Sequence, residues 1–430
     1  MKKTAGIVNF VMIYLLFTVN TVIAQFNYDE KKVPDYTLPD PLITENGEKI
    51  TSTEMWQDIR YSELIRLFEE NVYGKTPSKK IRTRVRTISV DKNALDGKAT
   101  RKQIEIRFGK GKSGPSLNLL IYIPNNSSKP VPAFLGFNFY GNHTINSDTG
   151  IIITTSWVKN NKEFKISENK ATSASRGVRE HRWPVSMILD NGYALITAYY
   201  GDIDPDYDDG FQNGIHPLFY KKGQTRPGPG EWGSIGAWAW GYSRAMDYIE
   251  KDPDISGDKV VIMGHSRLGK TALWAGALDP RFALVISNES GCGGAALSRR
   301  RFGETVKRIN TSFPHWFCEN FKKYNDNEDA LPVDQHELIA LIAPRPVYIT
   351  AAQKDKWADP KGMFLACKHA SSVYELFDEK GFPENAELIT NKPVTGGSIW
   401  FHQRAGRHDV TAYDWEQFIK FADRYLKQTK

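Results

Sequence analysis

Short apolar runs alternate with longer amphipathic stretches along most of the chain. Each apolar run ends in a polar loop: "PAFLGFNF" at 132–139, "YALITAYY" at 193–200, "KVVIM" at 259–263, "FALVIS" at 282–287 and "RPVYITAA" at 345–352. Runs without polar alternation are typical of parallel strands covered on both faces. Stretches with helical spacing, such as 231–251 and 413–426, provide the covering layers. The pattern predicts an α/β protein, a three-layer αβα sandwich with a mostly parallel central sheet.

The first quarter of the chain has a different pattern. Residues 25–60 are polar and proline-rich, and "YSELIRLFEENVYG" at 61–74 has helical spacing and stops at a glycine. Alternating apolar and polar residues then predict strands at 82–90, 99–109 and 116–124. We therefore expect an N-terminal arm and helix over 25–98 that packs on one α/β domain over 99–430.

The chain opens with the stretch "MKKTAGIVNFVMIYLLFTVNTVIAQ", in which two lysines precede an apolar run and small residues follow it. This is the arrangement of a secretory signal peptide, here residues 1–24. A membrane anchor is the competing interpretation, but Asn9 and Asn20 leave the apolar run short of the ~20 residues needed to span a bilayer. The sequence predicts an exported protein, periplasmic or secreted, with no membrane partner.

Composition narrows the classes of partner. The net charge is +7, which fits either simple solubility or attraction of an acidic polymer. Lysine and arginine are scattered, so a nucleic-acid partner is not expected, and we expect a monomer. Three cysteines do not make a disulfide scaffold, although one bridge is possible in an oxidising compartment, and Cys292–Cys318 is the weakly preferred pair. The absence of zinc-type spacing and of a phosphate-binding glycine loop predicts no metal and no cofactor.

The stretch "KVVIMGHSRLGKTALWAGA" at 259–277 carries the main chemical signal. A β-branched run is followed by Gly264, Ser266 and a run of good helix formers, which outlines the nucleophile elbow of an α/β-hydrolase fold. The helix N-terminus beside the serine favours a developing oxyanion. The match to G-x-S-x-G is imperfect, because Leu268 takes the second glycine position and Gly269 follows one residue late. A tight turn without chemistry remains the alternative.

Two basic residues follow the serine closely. Arg267 is adjacent, so its guanidinium is placed to hold negative charge and its backbone N–H to serve as an oxyanion donor. Lys270 lies four residues after Ser266, on the same helix face. The alternative interpretation is that both are ordinary surface charges.

A serine nucleophile needs a histidine base and an orienting carboxylate. The α/β-hydrolase order of nucleophile, acid and histidine places the base late in the chain, where His402 and His408 are found, and His408 is preferred because it follows Gly406 and precedes the last helix. Glu289 and Asp355 each follow an apolar strand and are both credible as the acid. The residues alone do not choose between them.

Together these segments resemble the glucuronoyl esterases of carbohydrate esterase family 15. The resemblance rests on six motifs and is strongest from about residue 180 onward: "GHSRLGK" at 264–270, "NESGCGGAALSRRRFGET" at 288–305, "HWFCENF" at 315–321, "LPVDQHELIALIAPRPVYI" at 331–349, "DKWADPKG" at 355–362 and "GRHDVTAYDW" at 406–415. It implies an α/β-hydrolase fold with an N-terminal extension. Leu268 in the second glycine position agrees with the pattern of this family.

The resemblance also implies roles for individual residues. Ser266 is expected to attack, His408 to relay the proton and Arg267 to stabilise the oxyanion. The family takes its acid from either of two positions, and this chain has both, with Glu289 preferred and Asp355 as its partner or substitute. Residues expected to contact the sugar are Lys270, Glu304, Trp357 and, more weakly, Gln335.

The implied reaction is hydrolysis of the ester between 4-O-methyl-glucuronic acid of glucuronoxylan and alcohols of lignin. It would proceed through a glucuronoyl-enzyme intermediate, and the substrates would be glucuronoxylan and lignin–carbohydrate esters. Two other functions fit the same residues less well. One is a different exported serine hydrolase, such as an acetyl esterase or a peptidase, and the other is a non-catalytic carbohydrate-binding protein.

Overall fold

The computed structural model describes residues 26–111 and 114–427. Its strands form one nine-stranded sheet and are β1 (Thr83–Ala94), β2 (Ala99–Phe108), β3 (Ser116–Pro124), β4 (Val131–Asn138), β5 (Ala194–Tyr199), β6 (Ile255–His265), β7 (Leu284–Asn288), β8 (Val347–Ala352) and β9 (Ile399–Arg404). The strand order is β1-β2-β3-β5-β4-β6-β7-β8-β9. The first three strands and β5 pair antiparallel. The pairs from β5 through β9 are parallel, so the predicted mostly parallel sheet is confirmed.

Helices cover both faces of this sheet. The α-helices are α1 (Thr53–Met55), α2 (Tyr61–Phe68), α3 (Val185–Asp190), α4 (Ser234–Ile249), α5 (Arg267–Leu278), α6 (Val306–Ser312), α7 (Gln335–Ala340), α8 (Pro360–Leu376) and α9 (Ala412–Leu426). Apolar residues of α2, α4, α5, α7 and α8 share one large core with one face of the sheet. Those of α3 and α9 form a second core. Two apolar cores separated by a buried sheet make the three-layer sandwich that the sequence predicts.

The N-terminal segment is fastened to the core by aromatic and ionic contacts. Helix α2 continues as a π-helical turn, Glu69–Tyr73, and the ring of Tyr73 stacks on Trp274 of α5 at 4.6 Å. The buried Arg60 guanidinium binds Glu337 at 2.9 Å. The strand β1 of the same segment pairs with β2 in the main sheet, so the proposed boundary at residue 98 falls between two paired strands.

The three cysteines are free thiols in the structure, and all are buried. The possible bridge between Cys292 and Cys318, the weakly preferred pair, is therefore not formed. Each thiol has its own surroundings: Cys318 donates a weak hydrogen bond to the carbonyl of Glu70, and burial raises the pKa of Cys292 well above that of a free thiol. Both sulfurs behave as small apolar groups that fill the core.

The question of a membrane-spanning helix concerns the described residues, whereas the predicted signal peptide lies before them in the chain. Among residues 26–111 and 114–427, no helix combines the length and the apolar character that crossing a bilayer requires. The signal-peptide prediction for residues 1–24 lies outside the described residues.

Candidate active site

The elbow serine sits at the junction of β6 and α5. Strand β6 ends at His265, helix α5 begins at Arg267, and Ser266 between them has φ 58° and ψ −127°. A non-glycine residue at positive φ is strained and is held there by its surroundings. A Cβ on Gly264 would lie 1.9 Å from the carbonyl oxygen of Leu268, so the turn requires glycine at that position. The sharp strand-to-helix turn that the sequence outlines is present.

His408 lies between two carboxylates. Its Nδ1 is hydrogen-bonded to Oδ2 of Asp355 at 2.6 Å and lies 3.0 Å from Oε2 of Glu289. Burial disfavours the charged imidazolium, but the hydrogen bonds and charges of the two acids outweigh it and raise the pKa of His408 to about 9. Because Nδ1 faces the acids, Nε2 is the nitrogen left for proton exchange with a nucleophile.

The two acids have different surroundings. Glu289 is fully buried, its Oε1 accepts a hydrogen bond from Arg404 Nη2 at 2.6 Å, and its Oε2 accepts one from the Asp409 N–H at 3.1 Å. Burial raises the pKa of Glu289 to about 7, against the opposing charges of His408 and Arg404. Asp355 is also buried. The structure therefore brings both predicted acids to one imidazole nitrogen.

Ser266, Arg267 and His408 line the same cavity, which has a volume of about 350 Å³. They come from two separate places in the chain, the β6–α5 turn and the loop between β9 and α9. The ring of His265 lies 4.5 Å from that of His408, and His265 Nδ1 is paired with the side chain of Asn288 at 2.5 Å. Serine, histidine and a cation thus share one solvent-accessible space, as acyl transfer requires.

Arg267 is enclosed rather than free at the surface. Its guanidinium lies 5.3 Å from the ring centre of Phe139 and 4.9 Å from that of Trp316. It also forms an ion pair with Asp206 and donates a hydrogen bond to the Tyr200 hydroxyl oxygen at 3.2 Å. A cation held between two aromatic faces and one carboxylate has little freedom to turn away from the serine. The interpretation of Arg267 as an ordinary surface charge is wrong.

The four residues expected to contact a sugar include Lys270, which lies near Trp316 as Arg267 does. Lys270 is 4% exposed, and its Nζ donates to the carbonyl of Ser290 at 2.5 Å and lies 3.5 Å from Glu304 Oε2. The backbone N–H of Glu304 donates to the carbonyl of Trp357, which is half-buried. Gln335 is fully buried, and its amide nitrogen donates to the carbonyl of Gly294. The structure groups Lys270, Glu304 and Trp357, while Gln335 has no exposed surface.

A cluster with metal-ligand geometry coincides with the acid–base site. Within the described ranges, His265, Glu289 and His408 bring possible ligand atoms within 4.8 Å of one another. Both carboxylate oxygens of Glu289 already accept hydrogen bonds, one of them from the cationic Arg404. A metal ion would have to compete with that guanidinium, so the arrangement fits proton transfer better than metal binding.

Comparison with known proteins places this geometry in a family. Over nearly its whole length the chain is similar to a solved CE15 esterase from a marine bacterial metagenome, with 54% identity, a TM-score of 0.88, and coverage of 94% of this chain and 100% of that one. The chain belongs to carbohydrate esterase family 15. A solved glucuronoyl esterase from Solibacter usitatus is 47% identical, with a TM-score of 0.87, and the match covers 92% of this chain and 100% of that one.

Two further comparisons match a shorter part of the chain. The family model described as glucuronyl esterase of fungi matches residues 181–378. A 4-O-methyl-glucuronoyl methylesterase from Wolfiporia cocos is 32% identical over 252 residues, which are 55% of this chain and 60% of that protein. The resemblance deduced from the sequence motifs, and the α/β-hydrolase fold it implies, are confirmed.

One residue of this family-15 site was missed by the sequence analysis. Asp206, 6% exposed in its side chain, accepts hydrogen bonds from Tyr200 Oη at 2.7 Å, His315 Nε2 at 3.0 Å and Trp316 Nε1 at 2.7 Å, besides its ion pair with Arg267. These donors and the arginine hold the pKa of Asp206 well below its usual range, although burial opposes them. The available signal was its position in "GDIDPD", directly after strand β5 at the carboxyl edge of the sheet.

Proposed function

We propose that this protein hydrolyses esters between the carboxyl group of 4-O-methyl-glucuronic acid, carried by glucuronoxylan, and alcohols of lignin. The observation that carries the proposal is the shared cavity of Ser266 and His408, with Asp355 and Glu289 on the far nitrogen of the imidazole. Support for the sugar comes from the family membership and from the names of the Solibacter and Wolfiporia relatives. The protein is proposed to act as a monomer after export to the periplasm or the medium.

The reaction is a two-step acyl transfer. Ser266 Oγ attacks the ester carbonyl carbon while its proton passes to Nε2 of His408, and the bond to the alcohol then breaks as His408 returns that proton to the leaving oxygen. The backbone N–H and guanidinium of Arg267 stabilise the oxyanion. Next, His408 takes a proton from a water molecule, whose oxygen attacks the acyl carbon of the glucuronoyl-enzyme. The bond to Ser266 Oγ then breaks, His408 returns the proton to Oγ, and the glucuronic acid leaves with a free carboxyl group, still attached to the xylan.

Between the two acids, the geometry favours Asp355 as the main partner of His408. Asp355 makes the shorter contact with Nδ1, 2.6 Å against 3.0 Å for Glu289. The oxygens of Glu289 are already engaged by Arg404 and by the Asp409 N–H. In this proposal Glu289 acts as a second negative charge beside His408. The sequence had favoured Glu289 as the main acid, and the proposal reverses that preference.

Lys270, Glu304 and Trp357 are proposed to hold the sugar, with the sugar ring against the half-buried indole. The Lys270–Glu304 pair offers both hydrogen-bond donors and acceptors for hydroxyl groups. Gln335, fully buried, is proposed to act through the loop that carries Gly294 and not by direct contact.

Kinetics on methyl and benzyl glucuronate test the function directly. The wild type should hydrolyse both, and Ser266→Ala should lose about three orders of magnitude or more in kcat. Ser256→Ala is the matched control, because this serine lies at the start of β6, the opposite end of the strand from Ser266, and its hydroxyl donates to the carbonyl of Pro130. A Ser266→Ala variant that keeps a tenth of the activity contradicts the nucleophile, and turnover of acetylated sugars alone contradicts the substrate.

A further inference from the structure

The cavity at Ser266 extends well beyond the catalytic side chains. Its outer part is formed by residues of the long segment between β4 and α3, namely Tyr140, Lys159, Phe164 and Arg179. We call this part the outer lobe. These four residues open into the same space as the serine but take no part in the proposed acyl transfer.

Arg179 in the outer lobe carries a charge that the protein does not neutralise well. Its side chain is 13% exposed, and within the described residues its guanidinium forms no hydrogen bond. The nearest carboxylate is Asp409, at 4.0 Å, and this group is already bound by Arg182 at 2.5 Å and lies 3.6 Å from His181. Burial and the repulsion of Arg182 lower the pKa of Arg179 to about 10. A buried cation without a close partner favours an anionic ligand.

The other charged residues in and near the outer lobe do not cancel the positive charge of Arg179. Lys159 is exposed and forms no ion pair among residues 26–111 and 114–427. Glu163 is exposed at the surface and opposes the lowering of the Arg179 pKa only weakly. The lobe therefore presents net positive charge to whatever enters it.

Aromatic rings form the rest of the lobe. The ring of Tyr140 meets that of Phe164 edge to face, with 4.9 Å between their centres. The guanidinium of Arg179 lies 4.8 Å from the centre of the Phe164 ring. An aromatic ligand can pack on these faces, while a negative group on that ligand reaches the cation beside them.

The outer lobe and the proposed sugar site both adjoin the surroundings of Arg267 but are formed by different residues. The Arg267 guanidinium lies 5.3 Å from the ring centre of Phe139, which lines the cavity together with Tyr140. It also lies 4.9 Å from the ring centre of Trp316, which is 6.0 Å from Nζ of Lys270, and Lys270 is not among the residues that line the cavity. An ester whose sugar lies beside Lys270 would therefore leave the outer lobe to its alcohol.

We propose that the outer lobe binds the alcohol portion of the ester and selects aromatic alcohols that carry a carboxylate. This rests on the proposed function, since it requires the glucuronoyl group to occupy the Lys270 side. Phe164 and Tyr140 pack against the aromatic ring, and Arg179, assisted by Lys159, binds the carboxylate.

A pair of matched esters tests the proposal. We would measure kcat/KM for 4-carboxybenzyl and 4-carbamoylbenzyl glucuronate, which have leaving groups of nearly equal size but different charge. At low salt the wild type should favour the carboxylate ester about tenfold, because charge-assisted hydrogen bonds exceed neutral ones by about that factor. Added salt should reduce this ratio.

Substitutions locate the preference within the lobe. Arg179→Gln should bring the ratio of the two kcat/KM values near one, and Arg179→Lys should restore part of it. Lys159→Gln, at an exposed position where folding is not at risk, should reduce the ratio about twofold. Lys170→Gln removes the same charge from the same segment outside the cavity and should leave the ratio unchanged.

The outcomes separate the two proposals. If methyl glucuronate is hydrolysed but the wild-type ratio is near one, the assignment of the outer lobe is overturned while the proposed function stands. A ratio that Arg179→Gln and Lys159→Gln both leave unchanged also overturns it. If no glucuronate ester is hydrolysed, the proposed function fails and the outer-lobe assignment fails with it.

Discussion

Asp355 and Glu289 approach the same nitrogen, Nδ1 of His408, at 2.6 and 3.0 Å. They reach it from the loop after β8 and the residue after β7, two neighbouring parallel strands. The carboxyl ends of parallel strands meet at one edge of a sheet, so two acids separated by 66 positions in the numbering converge there. The imidazole therefore has two orienting carboxylates where one suffices.

Loss of one acid should be tolerated better than loss of both. Asp355→Asn should lower kcat/KM by about tenfold to a hundredfold, less than the ~10⁴ typical of a triad with a single acid, because Glu289 still faces the imidazole. The double variant with Glu289→Gln should lose at least a further tenfold. Steady-state kinetics on benzyl glucuronate measure this, and thermal unfolding of each variant separates lost catalysis from lost folding. A Glu289→Gln variant that is folded yet far less active than Asp355→Asn would contradict the assignment of Asp355.

The dependence of kcat/KM on pH should also show the effect of the two acids on the pKa of His408. His408 must be neutral to accept the serine proton, and its pKa is raised from 6.5 to about 9 by Asp355 and Glu289. Consequently, kcat/KM should rise with pH through a midpoint above 6.5, with Glu289 titrating in the same range. Asp355→Asn removes one negative charge and should shift the midpoint to lower pH. A midpoint that is unchanged in Asp355→Asn would contradict the coupling.

Asp206 should affect the rate through Arg267. Asp206→Asn removes the charge that pairs with this guanidinium, and we expect kcat to fall about tenfold with little change in KM, because the oxyanion forms only in the transition state. Asp206→Glu should recover part of the rate, and Asp208→Asn, at an exposed neighbouring position, is the control.

A double-variant cycle then separates this role from a general structural one. The losses from Asp206→Asn and Arg267→Gln should not add, since both remove the same held cation. Fully additive losses would mean that Asp206 acts independently of Arg267.

The elbow should not tolerate a methyl group at Gly264. A Cβ there would meet the Leu268 carbonyl oxygen at 1.9 Å, so Gly264→Ala must displace the start of α5, at a cost of about 1–3 kcal/mol or more. Gly228→Ala is the control, because its Cβ would have ordinary contacts at 3.6 Å or beyond. Thermal unfolding and kcat together provide the measurement. Equal behaviour of the two variants would contradict the tight turn.

The sequence alone determined the layers of the fold and the position of the sharp turn at Ser266. Unbroken apolar runs predict buried parallel strands, and the structure confirms them from β5 through β9. A glycine two residues before Ser266, between a strand and a helix, predicts a sharp turn, because local backbone sterics depend on neighbouring residues alone. The family can also be identified from the sequence, because its motifs are short runs of consecutive residues.

Only the tertiary structure decided which distant side chains meet. The ion pair of Asp206 with Arg267, the access of both acids to His408 and the unneutralised charge of Arg179 depend on how loops from different strands fold over one edge of the sheet. The state of Cys292 and Cys318 was also decided by the tertiary structure. Three cysteines in the sequence permit one disulfide, but in the structure both residues are buried free thiols. Contacts over long sequence separations are set by the packing of the whole chain, and residue type and local spacing do not specify them.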